Sequence, residues 1–145
     1  MNQDLRWVQR YSNFDKAFQR LKESLELEQL SELERNGVVQ RFEFTLELAW
    51  KTMKDFLENE GFQFKPTPKE TIRQAFQAGF ITDAQPLIDG FEIRNELSHD
   101  YSGHKFRRAE SELRESVYPA LIALHEFFNR QSSLFEVGVQ YSRNI

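Results

Sequence analysis

Apolar residues recur every third or fourth position over most of the 145-residue chain, a rhythm that predicts helices nearly throughout. Phe14, Phe18, Leu21 and Leu25 form a first stripe, with Ser12 or Asn13 as its N-cap. A longer second helix carries Val38, Val39, Phe42, Leu46, Ala49, Trp50, Met53, Phe56 and Leu57 within about a third of its circumference, at roughly 100° per residue. Gly61 ends it. Phe44 and Leu48 fall on the other flank, a second apolar patch that one core does not require and that points to a partner surface. Thr67, Pro68 and Glu70 read as a capping box opening a short third helix, which ends near Gly79. Asp83 caps a fourth, with Pro86 tolerated in its first turn. A last helix runs from about His104 to Phe128, with Leu113, Val117, Leu121, Leu124 and Phe128 as its stripe and a kink at Pro119. Residues 131–145 show no clear pattern and read as a loosely held tail. The expectation is a single all-α domain over 1–145, a bundle of four or five helices.

Composition narrows the class. Fourteen phenylalanines supply ample core material, while 29% charged residues keep the chain among soluble helical proteins. With 19 basic against 23 acidic residues the net charge is −4, so any contact with RNA has to be local and not a general coat of positive charge. The absence of cysteine removes disulfides, thiolate metal sites and a Cys nucleophile. The opening MNQDLRWVQRY lacks the apolar stretch of a signal peptide, and no run of 18 apolar residues occurs, so the cytoplasm is the expected compartment, with no membrane partner.

Candidate chemistry concentrates in Arg94-Asn95-Glu96-Leu97-Ser98-His99-Asp100-Tyr101. An arginine can hold phosphate oxygens through a planar fork of donors. A histidine exchanges protons near neutral pH. On a helical wheel, Leu87, Ile88, Phe91, Ile93 and Leu97 form a wide apolar arc, with Asp89, Glu92, Glu96 and Asp100 opposite. Arg94 and Ser98 fall inside that arc and Asn95 at its margin. A charge held against an apolar surface is costly unless it is paired or faces a polar cleft. His104, Lys105, Arg107 and Arg108 then add a basic rim suited to a phosphate-bearing ligand. A plain structural reading competes: Arg94 pairs with Glu43 or Glu47, His99 interacts with the end of its helix, and Tyr101 simply packs. His125 stands alone and reads as structural. His99 and His104 have poor spacing for a metal pair and no third ligand, so neither a metal nor a cofactor is expected.

Arg94-Asn95-x-x-x-His99 resembles the signature of HEPN domains, the higher eukaryotes and prokaryotes nucleotide-binding family, and the extension to Tyr101 resembles the branch encoded beside minimal nucleotidyltransferases. The block Arg41-Phe42-Glu43-Phe44-Thr45-Leu46-Glu47-Leu48-Ala49-Trp50-Lys51-Thr52-Met53-Lys54-Asp55-Phe56-Leu57, with Gly90-Phe91-Glu92-Ile93-Arg94-Asn95, is similar to the subfamily of nucleotidyltransferase substrate-binding proteins over about residues 5–130. The resemblance implies an up-and-down bundle that forms a homodimer, with two motif helices facing one cleft, and a cognate minimal nucleotidyltransferase as partner. The chain lacks the Gly-Ser start and spaced aspartates of such a transferase and is not one itself. In related toxin–antitoxin pairs the HEPN chain is a metal-independent RNase. By that likeness Arg94 and His99 are the catalytic pair, Asn95, Ser98, Lys105, Arg107 and Arg108 bind nucleotide or RNA, and Tyr101 is the residue whose nucleotidylation silences the site. The subfamily's name implies instead a binding role without turnover. A third class, a non-catalytic helical scaffold whose polar motif holds a dimer together, stays open at this point.

Overall fold

A computed structural model describes residues 2–27, 30–97 and 103–144. Among them there is no strand; helices α1 (Asn2–Leu25), α2 (Glu32–Asn59), α3 (Pro68–Gln77), α4 (Gln85–Leu97), α5 (Gly103–Glu112) and α6 (Tyr118–Asn144) follow in order. A π-helical turn, Leu113–Val117, joins α5 to α6, so the bundle is built from five rods.

The first rod starts earlier than its stripe predicts. Helix α1 already includes Trp7 and Tyr11, both buried, two turns and one turn ahead of Phe14 respectively. The polar run Gln9-Arg10 and Ser12-Asn13 hid that register, because only every third or fourth residue there faces the core. Ser31 opens α2 through a reciprocal capping box with Glu34, worth on the order of 1 kcal/mol. Its far end closes at Gly61, with φ 93°, where the Phe62 N–H donates to Leu57 O and the Gly61 N–H to Glu58 O. Gly79, with φ 83°, closes α3 by the same pair of bonds, to Ala75 and Phe76. Thr67 caps α3 by accepting the Glu70 N–H, but the Glu70 carboxylate turns to Arg73 instead of returning to the cap, so the predicted box is half made. Asp83 Oδ1 accepts the Gln85 N–H at the start of α4.

The long last rod is irregular just ahead of Pro119. Pro119 has no N–H for the Glu115 carbonyl, and its ring crowds that oxygen. The chain widens just before it: the Tyr118 N–H donates five residues back, to Leu113 O. Past Phe128 the helix runs on to Asn144, beyond where the apolar stripe stops, with Leu134 and Val137 exposed. Extending an existing helix costs little once it is nucleated, so the stretch keeps helical form with Phe135, against the Trp7 ring, as its contact with the core.

The core lies between α1, α2 and α6, with α3 and α4 packed on α2. Trp7, Phe56 and Phe128 meet within 6.1 Å between ring centroids, in edge-on and tilted contacts. Polar groups tie the rods together. Thr45 Oγ1 donates across to Ala17 O, Arg41 Nη1 to Arg20 O and Ser24 Oγ, and Arg10 to the buried Asp55. His125, read as isolated, lies 2.7 Å from Asp15 Oδ1 and stacks on Phe18. Helix α4 sits closest to the rest at Gly90, where an added Cβ would lie 3.0 Å from Val117 Cγ1 and 3.5 Å from Leu46 Cδ1. That close approach fixes the height of Arg94, one turn further on.

Candidate functional site

The cleft is formed where α4 crosses α2. Gln40, Glu43, Phe44 and Glu47, at i, i+3, i+4 and i+7 on one face of α2, oppose Arg94 and Asn95 of α4 across an open groove of about 460 Å³. The core stripe of α2 points the other way, which leaves this face available for chemistry. Arg94 does occupy the apolar arc of α4: its guanidinium lies over the Phe91 ring, 5.0 Å from the centroid. Nη1 donates to Glu47 Oε2 at 3.3 Å. Of the two carboxylates expected as structural partners, the arginine takes Glu47 and leaves Glu43.

Glu47 is a hub. It also accepts from Trp50 Nε1 at 3.2 Å and pairs with Lys51 at 3.1 Å. Burial alone would raise its carboxyl, but the bonds from Lys51 and Trp50 and the charges of Lys51 and Arg94 outweigh it and hold the group below the ordinary carboxylate value. The pair with Arg94 is 30% and 39% exposed, so it belongs to the weak class of partly solvated ion pairs, worth about 0–1 kcal/mol. A dianionic phosphate entering the groove can therefore replace Glu47 as the partner of Arg94. Glu43 contributes differently. Its Oε1 atom is buried and accepts no hydrogen bond among the described residues.

Of the other residues assigned to the site, Ser98, His99 and Tyr101 lie outside the described residues, as does the side chain of Lys105. Asn95 is exposed at the groove edge. Arg107 and Arg108 are exposed on α5 and are not among the described residues lining the groove. Phe44 is 60% exposed, as a surface residue should be, but Leu48 is buried, so the expected apolar patch shrinks to one ring among polar neighbours. Leu48 belongs to the core because α1 and α2 pack along most of their length, which widens the buried face of α2. Gln40 went unnoticed in the sequence; the signal was its spacing with Glu43, Phe44 and Glu47 opposite the core stripe. Among the described residues no group of three His, Asp or Glu side chains is placed to hold a metal, and no helix is long and apolar enough to cross a membrane.

The family profile described as nucleotidyltransferase substrate binding protein like matches residues 9–130, a span that takes in all of the groove. The chain belongs to that family. Among individual proteins, it is similar to the probable ribonuclease HepT of Haemophilus influenzae, at 26% identity over 98 residues, covering 65% of this chain and 67% of that protein. A crystal structure of a protein from Thermus thermophilus has the same all-helical fold, with TM-score 0.64 and 31% identity over 77% of this chain and 98% of that one. The stretch of α6 beyond residue 130 lies outside the family match.

Proposed function

We propose that this chain is the HEPN subunit of a two-component nucleotidyltransferase system, binding nucleotide or RNA phosphate at the Arg94 groove and associating with a separate minimal nucleotidyltransferase. One observation carries the reading: Arg94 is fixed on an inner face, at the wall of an open groove, by a ring beneath it and a carboxylate it can exchange for phosphate. A merely structural arginine has no use for that groove. Two copies related by a two-fold axis would bring two such grooves and two His99 residues to one cleft. Tyr101, seven residues after Arg94, is the acceptor for a nucleotide whose bulk and charge would fill the phosphate position and close the site.

A second reading is favoured by the relative named a probable ribonuclease. Here Arg94 stabilises charge on the scissile phosphate while His99 shuttles the proton between the attacking and leaving oxygens. Cleavage by this route persists in EDTA, stops in His99→Ala, and falls by at least about 10²-fold in Arg94→Ala, the scale of losing one oxyanion donor. Wild-type protein that cuts no RNA removes the nuclease and leaves the binding subunit.

Co-expression with the neighbouring transferase, followed by intact-mass measurement, tests the wider proposal. A mass gain of one or more nucleotides that is absent from Tyr101→Phe supports it. A stable complex without mass gain narrows the role to plain substrate binding. No complex, together with no thermal stabilisation by nucleotide or short RNA, returns the chain to the scaffold class.

A further inference from the structure

Three donors converge on the carboxylate of Glu47. Arg94 Nη1 and Trp50 Nε1 lie 3.3 Å and 3.2 Å from its Oε2, and Lys51 Nζ lies 3.1 Å from its Oε1. Two cations and a neutral N–H around one anion are the parts of a phosphate site, filled here by a side chain of the protein itself. Trp50 and Lys51 stand on the same helix as Glu47, at i+3 and i+4, and so meet it from one turn away. Arg94 reaches in from α4. Two helices thus hold the donors independently of the carboxylate between them.

That carboxylate can leave. Arg94, Lys51 and Glu47 are 30%, 38% and 39% exposed, so a ligand reaches all three charged groups without opening the fold. Ion pairs this solvated are individually weak and exchange with other anions. Glu47 nevertheless stays ionised. Burial raises its carboxyl, but the bonds from Lys51 and Trp50 and the charges of Lys51 and Arg94 hold it below the ordinary value. Every anion that enters near neutral pH must therefore displace a full negative charge.

This competition sorts phosphates by charge. An internal phosphodiester has one negative charge and two free oxygens, the same as a carboxylate, so exchanging it for Glu47 leaves the balance of charge and bonds as it was. A phosphate monoester carries close to two charges at neutral pH and has three free oxygens. Two of these replace the oxygens of Glu47, the third accepts a further bond, and the second charge balances Arg94 and Lys51 together. Glu43 lines the same groove one turn back along α2, and its charge keeps a dianion toward the Lys51 end.

We propose that Glu47 is a built-in competitor that makes the Arg94 site selective for phosphate monoesters, a mononucleotide or the phosphorylated end of an RNA strand, over internal diesters, with Lys51 and Trp50 as further donors to the bound phosphate. This selectivity rests on the phosphate-binding reading above and adds to it a substrate class, two binding residues and the device that discriminates. It also separates Glu47 from a purely structural partner of Arg94. Removing a structural partner weakens whatever the arginine does, whereas removing a competitor strengthens binding of the ligand it excludes.

Fluorescence anisotropy with 3′-labelled UUUUU RNA, bearing either a 5′-phosphate or a 5′-hydroxyl, tests the selectivity on the full chain, with far-UV circular dichroism to verify folding of each variant. Wild type is expected to bind the phosphorylated oligomer at least about tenfold more tightly. Glu47→Gln raises affinity for the hydroxyl oligomer and narrows the gap to about threefold or less. Lys51→Gln weakens the phosphorylated oligomer by about tenfold. Unlabelled uridine 5′-monophosphate that displaces this oligomer at similar concentration identifies mononucleotides as the ligand, and displacement by the phosphorylated oligomer alone identifies RNA ends. Equal affinity of wild type for the two oligomers, or a Glu47→Gln variant that binds the hydroxyl oligomer no better than wild type, overturns the selectivity. Binding that is insensitive to Arg94→Ala overturns the phosphate reading instead. Failure to bind either oligomer at low salt overturns both.

Discussion

Two side chains carry the clearest signatures of their surroundings. Tyr11 lies between α1 and α6, its hydroxyl donating to Asn129 Oδ1 at 3.2 Å, and burial together with the nearby Asp15 charge pushes its phenol up to about 12. A raised value for a group that is neutral when protonated means that stability is fully present below the ordinary tyrosine value of 10 and drains away as pH climbs from there toward 12. Ultraviolet titration should show one phenolate step displaced into that upper range, and Tyr11→Phe should delete it. Glu47 works in the opposite sense. Its depressed carboxyl stabilises the fold above the ordinary carboxylate range, and the contribution is lost as pH falls through the lowered value. Thermal melts should therefore show Glu47→Gln less stable than wild type at neutral pH, with the gap closing in acid; a gap that is constant with pH would show that the charge is not what matters. The burial of Tyr11 was not visible in the sequence, because it depends on α6 from a distant part of the chain, whereas the main partners of Glu47, Trp50 and Lys51, lie within one turn of it.

Helix boundaries were largely legible, and the reasons are local. Gly61, Gly79, Thr67 and Asp83 act through bonds to residues one turn away, so their spacing alone announces them. The start of α1 and the burial of Leu48 were hidden because both are set by how α1 lies along α2. The Arg94 placement was readable from the arc of α4, since a wheel needs only the pitch of a helix. Gly90 is the test at this scale. Any β-branched side chain there meets Val117 and Leu46 and pushes α4 outward. Gly90→Val is expected to cost about 1–3 kcal/mol in urea unfolding and to weaken RNA binding together with it, because the displaced α4 carries Arg94 out of the groove. Unchanged stability in this variant would mean that α4 is held from elsewhere.

At the level of the whole molecule the open question is how many copies make one site. A two-fold pair is expected, and sedimentation at micromolar concentration should return twice the 17.3 kDa of one chain. A monomer under those conditions would remove the shared cleft and leave each groove to act alone. The exposed Leu134 and Val137 on the far part of α6 give a control, since they lie outside the family match. Truncation after Arg130 should leave ligand binding at the groove unchanged, because the groove draws on α2 and α4, while lowering stability through loss of the Phe135–Trp7 contact.

The π-turn at Leu113–Val117 holds one residue more than a regular turn would, and each residue advances a helix by about 100°. It thus sets the phase between the two ends of a single rod. With α6 anchored through Leu121, Leu124 and Phe128, losing one residue from the turn would roll α5 by that angle, driving Phe106 and Ala109 out of the core and swinging Arg107 and Arg108 to a different side of the bundle. A single-residue deletion there would do more harm than any single substitution, because it alters no contact in particular and misdirects all of them at once.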